Sequence, residues 1–548
     1  MYRLLCTKAM IRCYNTAMRK LDYYKTYQKR ILYTICFFAL CIIDWVKGSL
    51  NGRAQMTATN MTGVVLAIII FSFFTAKSFF KPIYAIWVVF CIVAIPLGIR
   101  VALDVYPYKG QVISGAINVI LYGFILIHVF FDLFTTRKIV GLRIPICFLW
   151  LIMLVIMFLS VNENIWPIWF AIIFGLYYVS DITLDTDRNI YMSIPDGIIL
   201  GFFFIQGMAL VFRPYDLVRY VGLYVNPNFN AMFYLMSYSS FLCKWFVLKK
   251  QRKYPLLRVL LGLFAGSMYG FTIFTGSKSA ILAMLLITLI FALLLLRYCK
   301  HKIISFIGIW MGVGMVSVIS IPIVYCAIRY LPTVHLHPLY FEGEYSVERV
   351  QPGESSDSEK YISFRTAMET NLGRFFYKFP NLEEYVESFF VLKVHAAEVN
   401  EFQEPEYIYS MEEVWEGIDP VEMRQQIHKY YFERLNWVGH KNDYDGAPIS
   451  VYYTAPHAHN VFIQIAFLYG IPAGIMFVLM IMSFIPGCIC LVKAGDDFRV
   501  CVISCFVIAF VIFGFFEIDW MCGQLPFTML FLLFRDVVRK PQELQTNW

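Results

Sequence analysis

The stretch SAILAMLLITLIFALLLL, Ser279 to Leu296, carries no charged side chain, and it is one of many like it. Apolar runs of 17 or more residues recur along the 548-residue chain, with the charges gathered in short clusters between them. A bilayer crossing takes about 20 mostly apolar residues wound as a helix, because lipid offers the backbone no hydrogen-bond partners. A repeated pattern of this kind leaves one fold class, an all-α polytopic membrane protein. Composition agrees: 15% of the residues are charged and 59% apolar, where a soluble domain has about 25% charged. The net charge of +8 is not a nucleic-acid footprint, since the basic residues sit at span ends, where they orient helices.

Fourteen candidate spans are read at 31–47, 62–80, 82–98, 112–134, 144–161, 165–180, 196–213, 228–248, 256–274, 279–297, 303–331, 461–492, 499–516 and 520–534. With the fifth and sixth taken as a re-entrant pair, the count falls to about 12–14 transmembrane helices. Placing the N-terminus inside makes every cytoplasmic loop basic, including AKSFFK, TTRKIVGLR, KWFVLKKQRKYPLLR, RYCKHK and the tail after Phe534. The alternation predicts a multi-pass membrane protein with both termini cytoplasmic. Residues 1–30 form a basic cytoplasmic segment without the pattern of a cleavable signal peptide. Residues 31–331 hold eleven spans, 459–535 the C-terminal spans and 536–548 a cytoplasmic tail.

The segment between them, 332–458, is different. Over 333–457 it carries 22 Asp/Glu against 10 Lys/Arg, which leaves the rest of the chain near +20 and assigns this loop to the extracytoplasmic side. Frequent aromatics and helical spacing in NLEEYVESFFVLKVHAAEV and DPVEMRQQIHKYYFERLNW predict a large, mainly helical cap. The 14 cysteines lie almost all in or beside apolar runs, with no CxxC pair, and read as small apolar fillers. No internal repeat is evident, unlike many secondary transporters.

Three polar clusters fall on the predicted outer face. In RYVGLYVNPNFNAMF, Asn226, Pro227 and Asn228 have the makings of a helix start. Arg219 and Arg213 put two cations where the positive-inside bias disfavours them, and a guanidinium suits phosphate oxygens. In FTGSKSAIL, Ser277 or Ser279 can cap the tenth span, and Lys278 reads either as a snorkelling lysine or as half of an anion clamp. In TAPHAHNVFIQIAFLYGIPAG, His459 and Asn460 open an apolar run that breaks at Gly470-Ile471-Pro472. The spacing of His457 and His459 is poor for a metal on a helix, and no carboxylate lies nearby in sequence, so no metal is expected. A neutral imidazole suits a general base. Glu517 and Asp519 form a weaker acidic feature that can pair with the outer cations.

Taken in order, these clusters resemble the O-antigen ligase and O-antigen polymerase superfamily of bacterial membrane glycosyltransferases. Arg219 through Asn228 is similar to its R-x-x-G-[LF]-x-x-N-P-N segment, and Thr275 through Ala280 to its T-G-S-R-S-A segment, with Lys278 in place of the arginine. His459, Asn460 and Gly470 fit H-N-x9-G after a long outer loop, and the likeness covers roughly 200–480. The resemblance implies a GT-C-like architecture and a metal-independent, inverting transfer needing no cofactor. The donor would be a polyprenyl-diphosphate-linked glycan, and the acceptor a hydroxyl on growing surface polysaccharide, lipid A-core or protein. Arg219 and Lys278 would hold the diphosphate, and His459 would be the base or orient the acceptor. His457, Arg213, Asn228, Asn460 and Arg365 would support them, with Arg374 a second match for the family's early-loop arginine. Polymerase and ligase stay equally open. The competing expectation is a transporter or flippase of lipid-linked saccharides, which needs polar residues along the middle of several spans.

Overall fold

Pro227 sets the start of one central helix. Its fixed φ suits the first helical turn, and the Asn226 side chain accepts from Asn228 N at 2.8 Å, as the sequence predicts. The computed structural model describes residues 27–46, 52–73, 141–334 and 420–517 with short internal gaps, 524–539, and isolated positions at 86–100, 120–126 and 364. In chain order the helices are α1 (27–46), α2 (Gly52–Phe71), α3 (Ile144–Leu159), α4 (Trp166–Val179), α5 (Leu184–Phe212) and α6 (Pro227–Lys250). Then come α7 (Pro255–Phe274), α8 (Lys278–Leu296), α9 (Lys302–Tyr330), α10 (Pro420–Glu433), α11 (Val461–Tyr469), α12 (Ile471–Met482), α13 (Phe484–Lys493), α14 (Asp497–Gly514) and α15 (Leu525–Val538). A two-residue antiparallel pair joins β1 (Ala447–Pro448) to β2 (Thr454–Ala455).

The described residues are predominantly helical, and among them seven helices are long and apolar enough to cross a membrane: α5 to α9, the α12–α13 unit and α14. Three shorter apolar helices lie in α2, α3 and α4. This is consistent with a multi-pass membrane protein. The spans expected at 82–98 and 112–134 lie largely outside the described residues.

Helix α6 is the hub. It packs against α5, α7, α8 and α14, and its side chains are buried around nearly the whole circumference. Its polar residues act as links between helices. Tyr234 donates to Gln206 at 2.6 Å and Tyr238 bonds Thr288, while Ser237, Ser239 and Ser240 turn back to carbonyls one turn earlier.

The span expected at 461–492 is corrected. Gly470 adopts φ +94°, a conformation L side chains avoid, and an added Cβ would stand 2.4 Å from the Trp437 carbonyl oxygen. The helix therefore stops at Tyr469, and the membrane-length unit begins at Ile471. Segment 436–440 threads this break. Ile471 N donates to Asn436 O at 2.8 Å, His440 N to Leu468 O at 3.1 Å, and Val161 N, beyond α3, to Val438 O at 3.0 Å.

One end of the bundle holds a buried ionic knot. Arg499 on α14 contacts Asp187, Asp496 and Asp536 at 2.9, 3.0 and 3.4 Å, and Arg535 on α15 contacts Asp187 at 2.7 Å. All five side chains are at most 2% exposed. Nearby at the same end, Asp196 pairs with Arg30 and Lys244, and Asp497 with Arg297. Charges so deeply buried hold only when paired. The full length of α14, about 27 Å at 1.5 Å per residue, separates this knot from the polar clusters at the other end.

Candidate active site

The far end of α14 carries the chain into Phe515, Phe516 and Glu517, and Glu517 gathers the other groups. Its side chain is 8% exposed. Oε1 accepts from Asn228 Nδ2 at 2.6 Å and from Arg424 Nη2 at 3.3 Å, and Oε2 lies 3.2 Å from His459 Nδ1. Burial alone would raise this carboxyl's pKa. The bonds and charges of His459, Arg424 and His457 outweigh burial and hold it below the usual glutamate value.

Asn228 extends the chain of contacts. Its Oδ1 accepts from Arg219 Nη2 at 2.6 Å, and Arg219 Nε donates to the Thr275 carbonyl at 2.6 Å. Two donors of one planar group are thereby fixed. The close approach depends on Gly276, whose φ is +67° and whose added Cβ would stand 2.9 Å from Arg219 Nε. Tyr220 N donates to Phe274 O at 2.7 Å and seals the Arg219 loop to the end of α7. Arg219 and His459, 240 positions apart, are thus joined through two side chains.

Lys278 is exposed at the first position of α8. It follows Thr275 by three residues, so its Cα lies within about 11 Å of the carbonyl that Arg219 holds. Ser277 occupies the cap position but makes no side-chain capping bond, which corrects one expectation. Its hydroxyl meets Ser279 Oγ at 3.2 Å instead.

At the third cluster the capping role belongs to Asn460 alone. Its Oδ1 accepts from Phe462 N and Ile463 N at 3.0 and 3.1 Å, and its Nδ2 donates to Phe515 O at 3.1 Å. His459 is held at φ +45°, a left-handed conformation that costs a non-glycine residue about 1–2 kcal/mol. Such strain persists where the surroundings impose it, and it clusters at functional sites. The rings of His457 and His459 are 4.2 Å apart between centroids. Burial, then the neighbouring His459 charge, pushes the His457 pKa down to about 3 against a weaker pull from Glu517.

Arg213 is buried at the end of α5, in the field of Tyr220 rather than in the chain through Glu517. Arg365, Arg374 and Asp519 lie outside the described residues. Two neighbours escaped the sequence reading. Arg424 and His428 sit one turn apart on α10, and burial lowers the His428 pKa against an opposing pull from the His459 backbone. Their i,i+4 spacing in a segment already expected to be helical is the signal that was available. The carboxylate thought missing near His459 is supplied by Glu517, from 58 positions away.

Comparison of the chain with family models, with curated proteins and with solved structures finds no match in any of the three. The functional reading therefore rests on the residues themselves.

Proposed function

We propose that the protein is a membrane glycosyltransferase of the O-antigen ligase and polymerase type, acting at the extracytoplasmic face of the inner membrane. The observation that carries the reading is the unbroken chain Arg219–Asn228–Glu517–His459, which couples a guanidinium to an imidazole–carboxylate pair. With Nδ1 engaged by Glu517, Nε2 of His459 takes the proton from an acceptor hydroxyl as its oxygen attacks the anomeric carbon of the donor. The bond from that carbon to the diphosphate breaks, and polyprenyl diphosphate leaves with the electron pair. Arg219 and Lys278 offset the charge on the leaving group. Glu517 fixes the imidazole tautomer and stabilises the imidazolium that forms, a role familiar from hydrolytic triads.

The flippase reading needs polar groups facing a path through the bundle. The hydroxyls and amides along α6 are instead bonded to neighbouring side chains and carbonyls, which favours chemistry over transport.

The test is purified protein offered a polyprenyl-diphosphate glycan, with and without candidate acceptors. A longer glycan on the same lipid identifies a polymerase, and glycan moved to another lipid or to protein a ligase. An unaltered donor under every condition, with lipid-linked glycan crossing vesicle membranes, overturns the enzyme reading.

A further inference from the structure

Three cysteine thiols meet inside the bundle, away from the site just described. Cys501 and Cys505 stand one turn apart on α14, and Cys243 faces them from α6; all three are fully buried. Their Sγ atoms lie within 4.8 Å of one another, with Cys243 and Cys501 at 3.9 Å. The i,i+4 spacing carries no CxxC signature, and Cys243 is 258 positions distant, so a sequence search for metal spacings passes over it. A filler role accounts for any one of these side chains. It does not account for three sulfurs from two helices closing on a single point.

We propose that Cys243, Cys501 and Cys505 form a binding site for one thiophilic divalent cation of the zinc and cadmium class. A metal–thiolate bond of about 2.3 Å places three sulfurs in a plane around one ion about 4 Å apart, and 3.9 Å is already reached for one pair. Thiol donors select soft cations over magnesium or calcium. Charge also balances. The incoming dication displaces protons from two thiols, which leave to solvent, and the third sulfur coordinates as a neutral thiol. The occupied site is then uncharged overall, so no unpaired charge is left in an apolar interior. No oxidant or reductant is involved. The ion ties α6, which begins beside Asn228, to α14, which leads to Glu517, and so fixes the two helices that carry the chain of contacts at the bundle's end.

The test uses full-length protein, purified reduced and stripped with chelator, then titrated with cadmium while thiolate-to-metal ultraviolet absorption and proton release are followed. The reference is the Cys243→Ala/Cys501→Ala/Cys505→Ala variant, which keeps the 11 other cysteines. The wild type should bind one more ion per chain than the variant, release two more protons, and alone show a rise in Tm with cadmium. Equal uptake by the two proteins, or binding without proton release, overturns the site. Should the triple variant fail to accumulate, Cys505→Ala alone decides: its cadmium affinity should fall at least tenfold, and an unchanged affinity overturns the proposal.

Discussion

His459 Nδ1 lies 3.2 Å from Glu517 Oε2, and His459 holds a left-handed backbone to put it there. Replacing Glu517 by Gln keeps the shape and removes the charge that steadies the imidazolium. Glycan transfer by Glu517→Gln should fall on the order of 10²–10⁴-fold, in kcat rather than KM. Steady-state kinetics with the purified variant measures it, and a loss of less than threefold removes Glu517 from the mechanism.

Arg219 is held by two donors of one rigid plane, to Thr275 O and Asn228 Oδ1. Lysine supplies the charge but not the fork. Arg219→Lys and Arg219→Ala should therefore both lose transfer by 10²-fold or more, on the order of one missing charge-stabilising contact. Lys278→Ala, at an exposed position, should lose less. Equal losses at the two positions would contradict this ranking.

His457 introduces a pH dependence of definite sign. Its folded pKa, about 3, lies below the ordinary 6.5. Between those values the unfolded chain takes up a proton that the folded chain refuses, so stability present above pH 6.5 is lost as pH falls toward 3. Hydrogen-exchange protection over 454–460, normalised to the intrinsic exchange rate at each pH, should fall on acidification in the wild type and fall less in His457→Gln. The comparison isolates His457 from Glu517 and His459, the charged groups that face it.

Gly470→Ala should be strongly destabilising, because the new Cβ meets the Trp437 carbonyl at 2.4 Å in a backbone conformation alanine avoids. A loss of about 2–4 kcal/mol in detergent unfolding is expected from clash and strain together. Full stability would mean that the break between α11 and α12 can straighten.

Arg499→Met leaves Asp187, Asp496 and Asp536 short of a cation. Breaking a buried ionic set this way costs about 3–5 kcal/mol, so the variant should accumulate poorly and unfold at lower temperature. Exchanging Arg499 and Asp536 together for apolar residues should recover part of the loss, as unfolding of both variants would reveal.

Much of this was legible along the chain. Pro227 beside Asn226 marks the start of α6, and Gly470 marks the break, because both residues act through local backbone geometry. Spans such as 279–297 announce themselves by composition alone. The contacts around Glu517 were not legible, because they join positions 219, 228, 424, 459 and 517, and which helix ends meet is decided by packing. The knot at Arg499 was hidden for the same reason: an arginine at a span end reads as an orienting charge until Asp187 and Asp536 are seen against it. The meeting of Cys243, Cys501 and Cys505 was not legible either, since three helical positions from two distant segments share no local pattern.

The buried pair of side chains on α15 also bears on how the protein is built. Arg535 and Asp536 lie near the C-terminal end of α15, at the end of the bundle, and without partners each would be a buried, uncompensated charge. Their partners on α5 and α14 come earlier in the chain, so they are synthesised before α15 reaches the membrane. The charges of α15 are therefore compensated only once it packs against these earlier helices. A chain cut short before residue 525 would keep the Arg499 contacts to Asp187 and Asp496 but lose those that Arg535 and Asp536 bring to the knot.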